Sequence, residues 1–169
     1  MAVLGLDPGT RAMGYGLIDG DPARMLACGV FRASSQPLPQ RLLYLYLKLE
    51  ALLEEYSPRE AAIEEPFVSH TVVANPRSAI AVGQAQAIAF LACARRGIPT
   101  TTYPPARIKA VVAGYGASDK AQVQEMVRLQ LELKETPPSD AADALAVALC
   151  HLAYAPLGRR GRLAAGAGE

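Results

Sequence analysis

The sequence predicts an α/β domain built around a mixed sheet. Short apolar runs separated by turn residues open the chain, and longer stretches with apolar positions three and four apart follow. Further short apolar runs then alternate with those stretches. Strands first, then strands alternating with helices, is the order expected of a sheet with antiparallel and parallel neighbours and helices on its faces.

Each element has its own signal. Val3 to Asp7 and Met13 to Ile18 are apolar runs joined through Pro8-Gly9-Thr10, whose Pro-Gly step suits a tight turn, so they read as two strands of a hairpin. A third strand is read from Met25 to Phe31. From Leu38 onward, Leu42, Leu45, Leu49, Leu52, Leu53 and Tyr56 recur at helical spacing, and Ser57-Pro58 ends that amphipathic helix. Ala61-Ala62-Ile63 reads as a buried strand running into Glu64-Glu65, and Phe67 to Pro76 is polar and turn-like. Ser78 to Ala94 is apolar nearly all round, the pattern of a buried helix. A strand at Pro99 to Tyr103 follows, then helices at Ala106 to Ala113 and Lys120 to Leu133 joined by Gly114-Tyr115-Gly116. The last helix begins at Pro138-Ser139-Asp140 and ends near Tyr154. Residues 1–156 are thus expected to form a single domain, and 157–169, rich in Gly, Ala and Arg, a disordered tail.

Composition narrows the classes. The 169 residues, 51% hydrophobic and 20% charged, suit one globular domain and not a disordered chain. The three cysteines Cys28, Cys93 and Cys150 are widely spaced in apolar surroundings, so free thiols are expected and neither a disulfide framework nor a zinc site. No run reads as a signal peptide or membrane span, which points to the cytoplasm and away from a membrane. The net charge of +1 neither supports nor excludes a nucleic-acid partner, because an acidic site can offset basic surface.

Four carboxylates stand out. Asp7 and Glu64 each close an apolar strand, where a lone acid would merely start a turn or emerge to solvent, yet strand carboxyl ends are also where α/β sheets bind ligands. Asp140 and Asp143 are three apart at a helix start, so both project from one face. A first-turn acid is favoured by the helix dipole alone. The rest of that helix, Ala141 to Leu149, is otherwise apolar and must be buried, and a buried acid requires a cation. Carboxylate oxygens are the ligands of hard divalent ions. His70 and His151 are not counted in the set: the first lies in the loop after Glu64, and the second reads as a packing residue.

The motifs resemble those of the RuvC family. Leu4-Gly5-Leu6-Asp7-Pro8-Gly9-Thr10 with Gly14-Tyr15-Gly16 is similar to its opening, and Ile63-Glu64-Glu65-Pro66-Phe67 to its second acidic motif, with Gly83-Gln84-Ala85 after it. Tyr103-Pro104-Pro105, Ile108-Lys109 and Lys120-Ala121-Gln122-Val123 are similar to its basic motifs, and Asp140-Ala141-Ala142-Asp143-Ala144-Leu145-Ala146 to its terminal acidic motif. The resemblance runs from about residue 2 to residue 154 in order.

It implies a ribonuclease-H-like mixed sheet flanked by helices. It further implies a homodimer that cuts two opposed strands of four-way junction DNA in recombination and repair, leaving 5′-phosphate and 3′-hydroxyl ends. Asp7, Glu64, Asp140 and Asp143 then map onto the catalytic, metal-binding acids, for Mg²⁺ or alternatively Mn²⁺, with two ions per site. Lys109 and Lys120 map onto contacts near the scissile phosphate, and Phe67 onto an aromatic that stacks on a base. Asn75, Arg77 and Arg107 are added as DNA contacts on polarity and loop placement alone. A branch-migration complex of the RuvA and RuvB type is the implied partner. Solvated lysines and a core phenylalanine are the plainer readings of Lys109, Lys120 and Phe67, and Arg159, Arg160 and Arg162 read as a basic tail without a specific role.

Three rivals share features. Leu6-Asp7-Pro8-Gly9-Thr10 also resembles the first phosphate motif of actin-like ATPases and sugar kinases, but the chain is too short for their two domains and has no second glycine-rich phosphate motif. An RNA-processing branch of the ribonuclease-H-like proteins shares the Asp-x-Gly-Thr opening but not the later motifs. A junction-binding scaffold without cleavage would not be expected to keep all four acids.

Overall fold

In a computed structural model of the chain, the described residues are 1–20, 22–33, 35–66, 76–116 and 118–165, with the side chains of Pro76, Ser78 and 155–165 left aside. Five strands, β1 (Ala2–Asp7), β2 (Ala12–Asp19), β3 (Arg24–Arg32), β4 (Glu60–Glu64) and β5 (Thr100–Tyr103), form one sheet in the order β3-β2-β1-β4-β5. The first three pair antiparallel, while β1 with β4 and β4 with β5 run parallel. The expected mixed sheet is the observed one.

Helices cover both faces, and alternation along the strands decides which side chain meets which layer. Leu4, Leu6, Ala61 and Ile63 point to α1 (Leu38–Tyr56) and α2 (Pro76–Arg95), where they pack with Leu45, Leu49, Ala85 and Ala89. Val3 and Ala62 point the other way, to α3 (Pro105–Ala113), α4 (Lys120–Gln130) and α5 (Ser139–Ala165). Asp7 and Glu64 share that second parity, so both carboxylates lie on the α5 face. Since Leu6 pairs with Ile63, Asp7 and Glu64 are also neighbours across adjacent strands.

Local chemistry sets the helix ends. Proline stands at the start of α1, where a missing N–H costs nothing, and Ser57 closes it in the left-handed region (φ 45°), its N–H donating to the Leu53 carbonyl. Asp119 caps α4: its carboxylate accepts from the Gln122 N–H, and the Gln122 side chain accepts from the Asp119 N–H.

Three expectations change. The helix read from Ser78 as buried all round is covered on one face only: Ala85, Ala89, Ala92 and Cys93 are buried, whereas Ile80 and Leu91 are each 62% exposed. As an outer-layer helix, α2 has just one side against the protein. The helix read as reaching Leu133 ends at Gln130, because Glu132 turns left-handed and the Leu133 N–H closes on the Arg128 carbonyl, while Leu131 continues the apolar period into the core. Beyond the expected end near Tyr154, the backbone of α5 stays helical to Ala165, running through Pro156, Gly158 and Gly161.

The closest packing is between α5 and the sheet. A Cβ on Gly5 would collide with the Ala144 carbonyl oxygen and lie 2.7 Å from the Ala148 nitrogen, and one on Gly14 would collide with the Asp140 carbonyl. These glycines let a helix backbone rest on a strand backbone. Gly5→Ala should therefore destabilise the fold by about 3 kcal/mol, as forced overpacking does, which lowers Tm by roughly 6–12 °C for a domain of this size. An unchanged thermal melt by circular dichroism would mean that α5 can ride up freely.

Candidate active site

The site lies where β1, β4 and α5 meet. Asp7 comes from the end of β1 and Glu64 from the end of β4, and α5 brings Asp140 and Asp143 over them in its first turns. One carboxylate oxygen from each of Asp7, Asp140 and Asp143 falls within 4.8 Å of the others. Oxygens around a single Mg²⁺ at about 2.1 Å stand roughly 3–4 Å apart, so this spacing suits one shared ion after small adjustment. Glu64 stands beside Asp7, one residue on from the Leu6–Ile63 pair, and lines the same cleft. All four sequence-predicted acids therefore converge.

Like charge and burial act on the inner pair. Burial, then the Asp143 charge, pushes the Asp7 carboxyl up to about 6, and burial, then the Asp7 charge, pushes Glu64 up to about 8. Lys120, at the start of α4, ion-pairs with Asp143 at 2.8 Å, and that hydrogen bond raises the lysine above its ordinary value. A cleft of about 370 Å³ is lined by Asp7, Glu64, Asp143, Lys109, Lys120 and Pro105, among others. Lys109 and Lys120 thus line the same cleft as Asp7, Glu64 and Asp143.

Other predicted residues are placed elsewhere. The Arg107 guanidinium lies over the Tyr154 ring, 5.6 Å from its centroid, on the exposed side of α3. Arg77 sits exposed in the first turn of α2. Phe67, His70 and Asn75 lie outside the described residues. His151 is buried and takes no part in the carboxylate set: its Nδ1 meets the Tyr103 hydroxyl at 3.0 Å, and its Nε2 meets Glu60 Oε2 at 2.7 Å. That chain of contacts ties α5 to β5 and β4 behind the site, in keeping with the packing role read from the sequence.

Sequence reasoning missed a second cleft of about 590 Å³, which shares Pro105 with the first and is lined by Glu65, Pro66, Gln86, Phe90, Thr102, Pro104 and Ala106. Its walls come from α2, β5, α3 and the loops beside them, so no single motif announces it.

The fold and the carboxylate set define a ribonuclease-H-like protein with a metal-type acidic centre. A family model for the crossover junction endodeoxyribonuclease RuvC matches residues 3–151. The chain belongs to that family. A RuvC from Dehalococcoides mccartyi is 48% identical over 155 residues, covering 89% of this chain and 90% of the relative. One from Chloroflexus aggregans is 48% identical over 160 residues, covering 92% and 95%. Among solved structures, Thermus thermophilus RuvC in complex with a Holliday junction substrate superposes with a TM-score of 0.85 at 36% identity, covering 94% of this chain and 96% of that one. The yeast mitochondrial Holliday junction resolvase Ydc2 shares the fold (TM-score 0.65, 16% identity). Among the described residues no helix is long and apolar enough to cross a membrane.

The raised carboxyls have a thermodynamic consequence. A carboxyl whose folded value lies above its ordinary one stabilises the fold at low pH, and that contribution is lost as pH rises through the folded value. Without divalent metal, the Asp7–Glu64 pair should therefore erode stability between about pH 4.5 and pH 8. Glu64→Gln removes most of the effect, so its Tm minus that of the parent should grow across this window. Thermal melts in EDTA buffers would show it, and a difference independent of pH would contradict the assignment.

Proposed function

We propose that the chain is a Holliday-junction resolvase: a divalent-metal-dependent endodeoxyribonuclease that cuts two opposed strands of four-way junction DNA symmetrically, in recombination and repair. The observation that carries this reading is the meeting of Asp7, Asp140 and Asp143 within 4.8 Å of one another, with Glu64, Lys109 and Lys120 on the same cleft. Family membership supports the substrate class.

The four carboxylates would hold two Mg²⁺ ions, with Mn²⁺ as the alternative. When bound, such ions lower the pKa of a water for attack on the phosphorus and neutralise charge on the departing oxygen. The protein's own groups do the rest. Lys109 and Lys120 draw the scissile phosphate into the cleft and face its developing charge. The Lys120 ammonium, paired with Asp143, also keeps that acid turned toward the cleft. Hydrolysis in line leaves 5′-phosphate and 3′-hydroxyl ends. Arg77 and Arg107 are proposed to meet DNA further out, with Phe67 and Asn75 from the loop between β4 and α2. A branch-migration complex of the RuvA and RuvB type would deliver the junction in the cytoplasm.

Paired nicks require two sites, and a two-fold dimer supplies them. Leu43 and Leu47 on α1, each 57% exposed, and Ile80 and Leu91 on α2 form apolar stripes at helical spacing on the layer away from α5. Dimerisation through that layer leaves both carboxylate clefts open.

Two experiments test the reading. Incubated with a mobile synthetic four-way junction, the chain should make paired symmetric nicks in Mg²⁺ and none in EDTA, and Asp7→Asn should bind the junction without cutting it. Normal cleavage by that variant on a denaturing gel would sink the mechanism. Leu91→Asp should shift the protein from dimer to monomer in sedimentation velocity, and a persistent dimer would move the interface elsewhere.

A further inference from the structure

Behind the acidic centre, three polar side chains form one chain of hydrogen bonds. His151 Nε2 meets Glu60 Oε2 at 2.7 Å, and His151 Nδ1 meets the Tyr103 hydroxyl at 3.0 Å. A carboxylate only accepts, which places a proton on Nε2, and in the neutral ring Nδ1 then accepts from the Tyr103 hydroxyl. His151 and Tyr103 are both buried. Apolar side chains would fill the same space without the cost of taking polar groups out of water.

The members of this chain come from the elements that carry the cleft. Glu60 opens β4, whose last residue is Glu64, and the two share one face of the sheet. His151 lies on α5, about two turns beyond Asp143. Tyr103 ends β5 in register with Glu64, and from it the backbone passes through Pro104 (φ −69°) into α3 at Pro105. Two successive proline rings make that corner stiff. Lys109 stands one helical turn after it, and Pro105, Ile108 and Lys109 all line the acidic cleft. A second tie runs alongside: the Tyr103 ring stacks on Tyr154 of α5, centroids 6.2 Å apart, and Arg107 of α3 lies over the same Tyr154 ring.

We propose that Glu60, His151 and Tyr103 are positioning residues for strand cutting: they lock the β5–α3 corner to α5 and thereby fix Lys109 against the carboxylates. The inference rests on the junction-nuclease reading. Ile108 and Val112 bury α3 in the core. Apolar contact is non-directional, however, and lets a helix slide. Hydrogen bonds hold their heavy atoms to within a few tenths of an ångström. A reacting or charge-stabilising group displaced by about 1 Å costs up to about a hundredfold in rate, which is the error this chain of bonds prevents.

The test is a double-mutant cycle in the full chain, read in single-turnover cutting of a mobile four-way junction in Mg²⁺. Tyr103→Phe removes one hydroxyl and keeps the ring, and it should lower the parent's rate about tenfold. In a Lys109→Ala background the same change should cost less than about twofold, because the residue it acts through is gone. Junction affinity in EDTA, where no cutting intervenes, should show the same dependence on Lys109. A second pair of variants separates the two ends of the imidazole. His151→Asn places an amide oxygen near the Nδ1 position, where it can accept from Tyr103, whereas His151→Gln places its amide near Nε2 and serves only Glu60. The Asn variant should therefore cut faster than the Gln variant, whatever the order of their melting temperatures. Equal fractional losses from Tyr103→Phe in both backgrounds, or cutting rates that simply follow thermal stability, would overturn the proposal. Absence of all cutting by the parent chain in Mg²⁺ or Mn²⁺ would instead overturn the nuclease reading on which it stands.

Discussion

The whole arrangement depends on how closely α5 lies on the sheet. At Gly5 and Gly14 a strand backbone touches the helix backbone, with no room for a Cβ between them. That contact determines the height of the first turns of α5 above β1, and so how far Asp140 and Asp143 stand from Asp7. The same helix is buried from Ala141 to Leu149 apart from the half-buried Asp143. Core and site are therefore one object: whatever lifts the helix to relieve a clash also spreads the carboxylates.

Such closeness stores electrostatic tension. Asp7 is driven upward by burial and the Asp143 and Asp140 charges, Glu64 by burial and the Asp7 and Asp143 charges, and the Lys120 ammonium on Asp143 relieves part of the repulsion. A centre of this kind favours added positive charge, which is the physical content of calling it a metal site. It also explains why a net charge of +1 was uninformative, since acids gathered in one cleft offset basic residues spread elsewhere. The two clefts are neighbouring surfaces of different character, divided at Pro105.

Much of this was legible along the chain. The β1 and β4 runs, the period of α1 from Leu45 to Leu53, and the acids ending two strands and opening one helix were all local patterns, and the structure brings those acids together. The exposed side of α2 was not legible, because periodicity reports that a helix is apolar but not how many neighbours it has. Arg107, chosen for polarity, lies over Tyr154, a residue far along the chain, and nothing in its own segment signals that contact. The cleft at Glu65, Gln86, Phe90 and Thr102 was equally hidden, since the loop after β4, α2 and β5 each contribute a part.

The sequence by itself determined the elements, the class of sheet and the chemistry of the acids, because helical and strand periodicity and strand-end carboxylates are properties of short segments. Only the tertiary structure decided which acids share an ion-sized space, that Lys120 pairs with Asp143, and that a second cleft adjoins the first. Those depend on strand register and on the height of α5, which arise from packing between segments distant in sequence and leave no trace within any one of them.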